Sequence, residues 1–242
     1  MVVKSQIKLI KSLQQKKYRT QHSLFVVEGI KTIHELLKSN IVPQEIYTTD
    51  ASFLEGYKGS KTIISETELR QMSSLKNPNK ILGVFKMPKP KPMDFLDWIV
   101  ALDDVRDPGN LGTIIRLCDW FGIRNLVCSK NTVDCFNPKV LQATMGSISR
   151  VNIVYDDLAK TLEESNMPVY GTFMNADSAY NEKLPDTGII VMGNEANGIS
   201  EEIENLCNRK ISIPHFGKPS AESLNVATAT AILLNEIRRI EK

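Results

Sequence analysis

Short apolar runs alternate with helical stretches from residue 98 to residue 241, and this alternation is the feature that most constrains the fold. Strand-like runs occupy 98–102, 125–128, 151–155, 169–173, 189–192 and 210–213. Helices are predicted at about 112–121, 138–146, 158–164 and 224–241. Strands and helices in such alternation favour an α/β fold with a mostly parallel sheet covered by helices on both faces.

The N-terminal part predicts a separate, small α/β sandwich. Helices are expected at 4–17 and from Gly29 to about Leu37, with strands at 24–27, 46–48, 62–64 and 81–85. Residues 86–92 alternate prolines with other residues, three of them lysines, which keeps a linker extended and solvated. We therefore predict one domain over 1–92, a linker at about 86–95 and a second domain over 96–242.

Charge is distributed unevenly along the chain. Residues 1–92 carry 16 Lys and Arg against 7 Asp and Glu, a balance of +9, whereas the remainder carries 14 against 21, a balance of −7. A basic leader is typical of a surface that faces a polyanion such as RNA. The candidate contacts are Lys4, Lys8, Lys11, Lys16, Lys17 and Arg19. The alternative is an ordinary solvated helix face.

Composition narrows the remaining classes. No apolar run approaches the roughly 20 residues that span a bilayer, and no apolar stretch follows the first residues as in a secretory signal, so a cytoplasmic location is expected. The four cysteines form no C-x-x-C pair and the three histidines are scattered, so we predict no metal site. Cys118 and Cys128 lie in apolar runs and should pack as small core residues.

The first candidate motif follows the predicted strand at 98–102. It runs from Asp103 to Gly112, contains Asn110, and is followed by Arg116 one helical turn beyond Gly112. A plain strand-to-helix turn would explain Pro108-Gly109 alone. Small polar groups and free amides at a helix start would in addition form a seat for an anion, which we expect at Asn110 and Gly112.

The second motif follows the strand at 189–192 and contains Gly193, Glu195 and Gly198. It is not a dinucleotide fingerprint, because Glu195 stands where a glycine must admit a pyrophosphate. A phosphate-binding loop of the G-x-x-x-x-G-K-[ST] type is also absent, since Gly217-Lys218 is followed by proline. The alternative role for Glu195 is to cap a helix that starts near Ser200.

The third motif joins Ile213-Pro214 to Ser223-Leu224-Asn225, which leads into the closing helix. The alternative interpretation is a strand, a loop and a helix capped by Ser223. All three motifs follow predicted strands, and in parallel sheets ligands bind at the carboxyl ends of the strands.

Together and in this order, the motifs resemble the signature of the SpoU family of RNA ribose 2′-O-methyltransferases, also called the TrmH family. The matching patterns are N-x-G-x-x-x-R at 110–116, G-x-E-x-x-G at 193–198 and S-L-N-V at 223–226, and the resemblance covers about 98–241. It implies the SPOUT α/β fold with a trefoil knot, an exception to the rule that chains are unknotted. It also implies a homodimer formed through the C-terminal domain.

The resemblance further implies S-adenosylmethionine as methyl donor, held by Gly193, Ile213 and Leu224. The catalytic set it implies is Asn110, Arg116, Glu195, Ser223 and Asn225. The family mechanism sometimes makes this arginine the general base. Because a guanidinium stays protonated in proteins, we expect Arg116 instead to clamp the RNA phosphate beside the target ribose. The sequence departs from the family pattern at His215, where methionine is common, and in the loop Lys218–Ala221, which is about two residues longer than usual.

The N-terminal domain resembles the L30e-like domain that precedes the catalytic domain in many SpoU enzymes. That arrangement implies binding of structured RNA and favours 23S ribosomal RNA over transfer RNA as the substrate. Two other functions stay open at this point, a non-catalytic RNA-binding protein and a small-molecule nucleotide-binding enzyme. The intact motif residues weigh against the first, and the missing phosphate-binding loop weighs against the second.

Overall fold

The computed structural model describes residues 2–217 and 223–239. The helices are α1 (Lys4–Ser12), α2 (Lys16–His22), α3 (Ile30–Leu37), α4 (Glu66–Met72), α5 (Pro108–Trp120), α6 (Pro138–Thr144), α7 (Leu158–Glu164), α8 (Glu201–Glu204) and α9 (Val226–Arg239). The strands are β1 (Leu24–Glu28), β2 (Pro43–Thr48), β3 (Lys61–Ile63), β4 (Ile81–Lys86), β5 (Ile99–Leu102), β6 (Asn125–Ser129), β7 (Asn152–Asp156), β8 (Val169–Ser178), β9 (Ile189–Met192) and β10 (Arg209–Ser212).

The chain folds into two compact units. Unit 1 comprises residues 1–89 and 134–149, and unit 2 comprises residues 90–133 and 150–242. The boundary between residues 89 and 90 falls inside the linker expected at 86–95. The segment 134–149, however, belongs to unit 1, although the sequence analysis assigned it to the second domain.

Unit 1 contains a four-stranded sheet in the order β1–β4–β2–β3. Strand β4 is antiparallel to β1 and β2, and β2 is parallel to β3. Apolar contact explains why residues 134–149 belong here, since the ring of Phe136 lies 4.8 Å from that of Phe25 and α6 packs on β1. Aromatic pairs at such distances add to the gain from apolar burial.

The helix predicted at 4–17 is interrupted, and Arg19 provides the reason. Its Nη1 donates to the carbonyl oxygens of Leu13 and Gln14 at 2.9 and 2.8 Å. These carbonyls therefore end α1 instead of continuing a helical ladder, and α2 begins at Lys16. The sequence period alone could not reveal this contact.

Unit 2 contains a six-stranded sheet in the order β10–β8–β9–β5–β6–β7, and all its strand pairs are parallel. The predicted parallel α/β class is therefore confirmed. Strands β5 and β9 are buried along their whole length, as strands covered on both faces should be. Across residues 2–217 and 223–239, the structure has no helix with the length and apolar character needed to cross a bilayer.

Candidate active site

The loops that follow β5 and β9 lie side by side at one edge of the unit 2 sheet. The two strands pair in parallel, so their carboxyl ends coincide. The backbone amide of Asp103 donates to the carbonyl of Met192 at 2.9 Å, and the amide of Ser200 donates to Asp103 Oδ2 at 2.7 Å. Asn194 Nδ2 donates to the carbonyl of Asp104 at 2.6 Å. These bonds fix the first two motifs against each other.

Helix α5 begins earlier than predicted. Pro108 occupies its first turn, and Asp107 is the N-cap, with Oδ1 accepting from the amide of Asn110 at 2.8 Å. Proline in the first turn after an aspartate cap is a favourable helix start, because proline has no amide hydrogen to satisfy. The expected anion seat at Asn110 and Gly112 is therefore wrong. Gly112 is buried inside the helix, and the Asp107 carboxylate already accepts from the Asn110 amide.

Glu195 gathers three donors from the segment around the start of α5. Its carboxylate accepts from the backbone amides of Arg106 and Asp107 at 3.2 and 3.1 Å, and from Asn110 Nδ2 at 2.9 Å. Partial burial acts to raise its pKa, but the bonds from Asn110 and the backbone amides outweigh burial and hold the pKa below the ordinary 4.5. Glu195 thus joins two motifs. It does not cap the helix after Ser200, because its acceptors are used at α5.

The loop after β9 closes on itself. Asn194 and Gly198 exchange both backbone hydrogen bonds, at 2.9 and 3.0 Å. A Cβ placed on Gly193 would lie 2.3 Å from the carbonyl carbon of Gly198, far inside van der Waals contact. The family resemblance implies that Gly193 helps to hold S-adenosylmethionine. The structure shows that the loop itself excludes a side chain there.

Asn225 caps α9 and links the third motif to the first. Its Oδ1 accepts from the amides of Ala227 and Thr228 at 3.0 and 3.2 Å, so the suggested cap at Ser223 is wrong. Its Nδ2 donates to Asn110 Oδ1 at 2.8 Å. Because Asn110 in turn donates to Glu195, a chain of side-chain hydrogen bonds runs through all three motifs. A connected network of this kind holds its members in fixed geometry.

Arg116 and Ser223 lie outside this network. Both are exposed, and neither side chain makes a hydrogen bond or ion pair with residues 2–217 or 223–239. Arg116 lies on α5 six residues after Asn110, a rise of about 9 Å along the helix. An exposed guanidinium without a carboxylate partner remains available to an external anion.

The family resemblance assigns Ile213 and Leu224 to the methyl donor. Ile213 follows β10 and is partly buried, and the Leu224 side chain is 50% exposed. Neither backbone amide donates to a described residue. His215 is exposed and its Nδ1 lies 2.9 Å from the carbonyl oxygen of Gly217. The longer loop Lys218–Ala221 lies outside the described residues.

The cationic candidates of unit 1 separate into two kinds. Five lysines are exposed, namely Lys4, Lys8, Lys11, Lys16 and Lys17. Arg19 is only 2% exposed, and its Nε donates to Asp134 Oδ2 at 3.1 Å. The assignment of Arg19 to RNA binding is therefore corrected, because its guanidinium is used inside unit 1.

The cysteines, two of which are predicted core residues, differ in burial. The side chains of Cys118 and Cys128 are buried, which confirms their predicted core positions. Burial, with a smaller contribution from Glu204, raises the pKa of Cys207 to about 11. Within the described part of the chain, no group of three or more His, Cys, Asp or Glu side chains is placed to hold a metal ion.

Sequence reasoning did not single out Asp107 or Asn194 as organisers of the site. The aspartate was identifiable, since Asp before Pro is a known helix-start signal. Asn194 gave no comparable signal, because its side chain bonds across to Asp104 and to the amides of Ala196 and Asn197 within its own loop. Only the parallel pairing of β5 and β9 makes that bridge possible.

Unit 2 is thus a parallel α/β domain whose polar loops converge at the carboxyl edge of its sheet, where enzymes of this class bind nucleotide-like ligands. The chain belongs to the SpoU rRNA methylase family, whose model matches residues 97–235. A second model, the MRM3-like substrate binding domain, matches residues 4–83.

Individual relatives agree with the family model. The chain is 31% identical over 236 residues to 23S rRNA (guanosine(2553)-2′-O)-methyltransferase RlmP of Bacillus subtilis, covering 94% of each chain. It is similar in structure to a putative TrmH-family RNA methyltransferase of Porphyromonas gingivalis, with a TM-score of 0.91, 35% identity and 99% of each chain covered. It is also similar to an AdoMet-bound rRNA methyltransferase of Sinorhizobium meliloti, with a TM-score of 0.87, 28% identity, and 99% and 96% of the chains covered.

Proposed function

We propose that this protein methylates a ribose 2′-hydroxyl of 23S ribosomal RNA, with S-adenosylmethionine as the donor. The observation that carries the proposal is the hydrogen-bond chain Asn225–Asn110–Glu195, which joins three motifs of the family. The names of relatives support the substrate class, since RlmP of Bacillus subtilis acts on 23S rRNA. A ribosomal RNA substrate would place the protein in the cytoplasm.

The proposed donor fits the two residues that the family resemblance assigns to it. Ile213 and Leu224 offer backbone amides that no described residue uses, beside apolar side chains suited to an adenosine. The loop from Gly193 to Gly198 is closed by its own backbone hydrogen bonds, and the family resemblance assigns Gly193 to the same donor. When bound, S-adenosylmethionine supplies a methyl group already activated by its positively charged sulfur.

The protein residues have to align and activate the ribose. The 2′-oxygen forms a bond to the methyl carbon as the carbon–sulfur bond breaks, and the hydroxyl proton leaves to solvent or to a neighbouring acceptor. Arg116 stays protonated, so its role is to hold the adjacent phosphate through two parallel N–H···O bonds and to support charge that develops on the 2′-oxygen. By the family resemblance, Ser223 and Asn225 are assigned hydrogen bonds around that oxygen. Alignment of this kind supplies a large share of the rate.

Replacing Arg116 tests this function most directly. Arg116→Ala should lower methyl transfer by about 10²- to 10³-fold, the effect of removing one transition-state donor. Arg116→Lys should also fail, because a point charge cannot reproduce a planar fork. Transfer of labelled methyl groups to 23S ribosomal RNA is the measurement, and calorimetry should show unchanged binding of S-adenosylmethionine. Near-normal turnover in either variant would reject the assigned role.

Transfer RNA is the main competing substrate, and a non-catalytic RNA-binding role is the other alternative. The first is disfavoured by the domain that matches the MRM3-like substrate binding model at residues 4–83. Mapping ribose methylation in total RNA from cells with and without the gene decides among the three. Loss of a site in 23S ribosomal RNA supports the proposal, whereas loss of a transfer RNA site, or of none, rejects it.

The assembly proposed for the protein is a homodimer through unit 2. Exposed apolar side chains support it, in particular Trp120 at the end of α5, which is 83% exposed, and Leu224 at 50%. Large exposed apolar side chains are typical of interaction surfaces. Sedimentation of the full chain measures the mass, and Trp120→Glu should shift it toward the monomer.

The chain is also proposed to form the trefoil knot of its family. Packing of α9 against α5 supports this proposal, since the closing helix returns to the first helix of unit 2. A threaded chain is expected to refold slowly from urea, because α9 has to pass through a loop before the native contacts can form.

A further inference from the structure

Arg106 presents an exposed guanidinium beside the linked loops of the candidate site. Its side chain is 68% exposed, and its backbone amide donates to Glu195 Oε2. Its Nε donates to Asp104 Oδ1 at 2.9 Å and its Nη2 lies 2.8 Å from Asp104 Oδ2. Only the edge of the guanidinium formed by Nε and Nη2 is used. Nη1 donates to no residue of the described chain, so it is available to a second acceptor.

The partner of Arg106 is held in an unusual conformation. Asp104 has a φ of 59°, in the left-handed region that is sterically unfavourable for a residue with a Cβ. Two neighbouring strand ends stabilise it, since its amide donates to Ser129 Oγ at 2.9 Å and its carbonyl accepts from Asn194 Nδ2 at 2.6 Å. Strained residues that several contacts maintain are concentrated at functional sites. The Asp104 carboxylate is therefore fixed where it orients the guanidinium.

The guanidinium of Arg106 lies in a segment rich in carboxylates. Three carboxylates lie between residues 103 and 107, and Glu195 adds a fourth to the same loops. Between residues 103 and 116, the cationic side chains are Arg106 and Arg116. An RNA backbone that approaches this edge comes near four carboxylates, of which Asp103 is buried, within a region of net charge −7, so it needs cations placed among them. Arg116 alone offers one phosphate contact.

We propose that Arg106 is a second phosphate-binding residue for the RNA substrate, oriented by Asp104. The inference rests on the proposed RNA methyltransferase function and deepens it. Arg116 holds the phosphate beside the target ribose, and Arg106 holds a neighbouring phosphate of the same strand. Asp104 is a positioning residue, because it acts only through the guanidinium that it orients.

The test compares full-length variants that lose the same charge at two places. Arg106→Gln removes the proposed contact. Arg209→Gln is the matched control, because Arg209 also lies in unit 2, its side chain is 66% exposed, and its carboxylate contact is loose at 3.9 Å. Binding to a 23S ribosomal RNA transcript is measured across a salt titration, together with methyl transfer, melting temperature and S-adenosylmethionine binding.

Arg106→Gln should bind the transcript roughly tenfold more weakly, as expected for loss of a charge-assisted hydrogen bond. Its log–log salt slope should fall by about 0.7 to 0.9, the contribution of one phosphate contact, while that of Arg209→Gln stays near wild type. Cofactor binding should be unchanged. A purely structural role for Arg106 would lower the melting temperature but leave the salt slope intact, and that result would overturn the inference.

Arg106→Lys keeps the test valid if the glutamine variant fails to fold. It should retain the wild-type salt slope, because the charge remains, but bind more weakly, because the fork is lost. A reduced slope in this variant would contradict the phosphate contact, as would equal losses in Arg106→Gln and Arg209→Gln. If the wild type methylates the transcript and Arg106→Gln behaves like it, only this inference fails. If the wild type transfers no methyl group to any RNA, the proposed function fails and the inference with it.

Discussion

Arg19 in unit 1 and Arg116 in unit 2 show two opposite uses of the same side chain. Arg19 is buried and donates to Asp134 and to two backbone carbonyls, so its guanidinium serves the fold. Arg116 is exposed and has no partner among the described residues. From sequence, Arg19 looked like one more member of a basic leader, whereas its burial makes it a structural residue.

The two units also differ in how they use charged and polar side chains. The N-terminal part has an excess of positive charge, displayed on exposed lysines that need no precise geometry to attract a polyanion. Unit 2 lies in the acidic part of the chain and instead concentrates hydrogen bonds among Glu195, Asn110 and Asn225. We therefore expect unit 1 to supply long-range attraction for RNA and unit 2 to supply the fixed geometry of the site. The predictions below test this division, beginning with the largest expected effect.

Arg19→Ala should destabilise unit 1 by about 3–5 kcal/mol, because it removes a buried guanidinium and leaves the partly buried carboxylate of Asp134 without its cation. Arg70→Ala is the matched control, since Arg70 is an exposed arginine of the same unit. Urea unfolding measures both. A loss below 1 kcal/mol for Arg19→Ala would remove the distinction between structural and available arginines.

Replacing the five exposed lysines of α1 and α2 by glutamine should weaken RNA binding and flatten its salt dependence. Each lysine that contacts a phosphate contributes about 0.7 to 0.9 to the log–log slope. The substituted residues are Lys4, Lys8, Lys11, Lys16 and Lys17. Removal of residues 1–92 would be a poorer test, because it would uncover Phe136 and α6, which pack on Phe25 and β1.

The control for this lysine variant replaces exposed lysines of unit 2, namely Lys130, Lys160 and Lys183. We expect that variant to keep the wild-type slope. Equal losses per lysine in the two sets would show that RNA attraction is not concentrated on unit 1.

Gly193→Ala should impair the fold of its loop more than Gly198→Ala. The added Cβ at Gly193 would overlap the Gly198 backbone at 2.3 Å, whereas at Gly198 nothing lies within 4 Å and the cost is only the left-handed φ of 71°. That conformational cost is about 1–2 kcal/mol. Thermal unfolding of both variants is the measurement, and a milder effect at Gly193 would contradict the loop geometry.

The smallest expected effect is the pH dependence of the Glu195 network. Its folded pKa lies below the ordinary 4.5, so its contribution to stability is present above pH 4.5 and is lost as the pH falls through the folded value. The difference in unfolding free energy between wild type and Glu195→Gln should therefore shrink in acid. A difference that stays constant from pH 7 to pH 3 would show that the carboxylate charge contributes nothing to the network.

Much of the fold could be predicted from local pattern. The strands at 24–27, 125–128 and 189–192 appear in the structure within a residue of their expected limits. Buried parallel strands are short apolar runs, and that signal is independent of the rest of the chain. The predicted start of α5 at about residue 112 is later than the observed start at Pro108, because the helix-start signal is the cap at Asp107 and not Gly112. That error was avoidable, since both residues were visible in the sequence.

The sequence by itself determined the parallel α/β class, the order of strands and helices, the charge difference between the two parts of the chain and the identity of the motif residues. All of these depend on residue type and on spacing along the chain. Tertiary structure alone decided that Arg19 is buried against Asp134, 115 residues away, that residues 134–149 join unit 1, and that Asn110 bonds to Glu195 and Asn225. The physical reason is that hydrogen bonds and burial depend on distances in space, which parallel pairing and packing create between residues far apart in sequence.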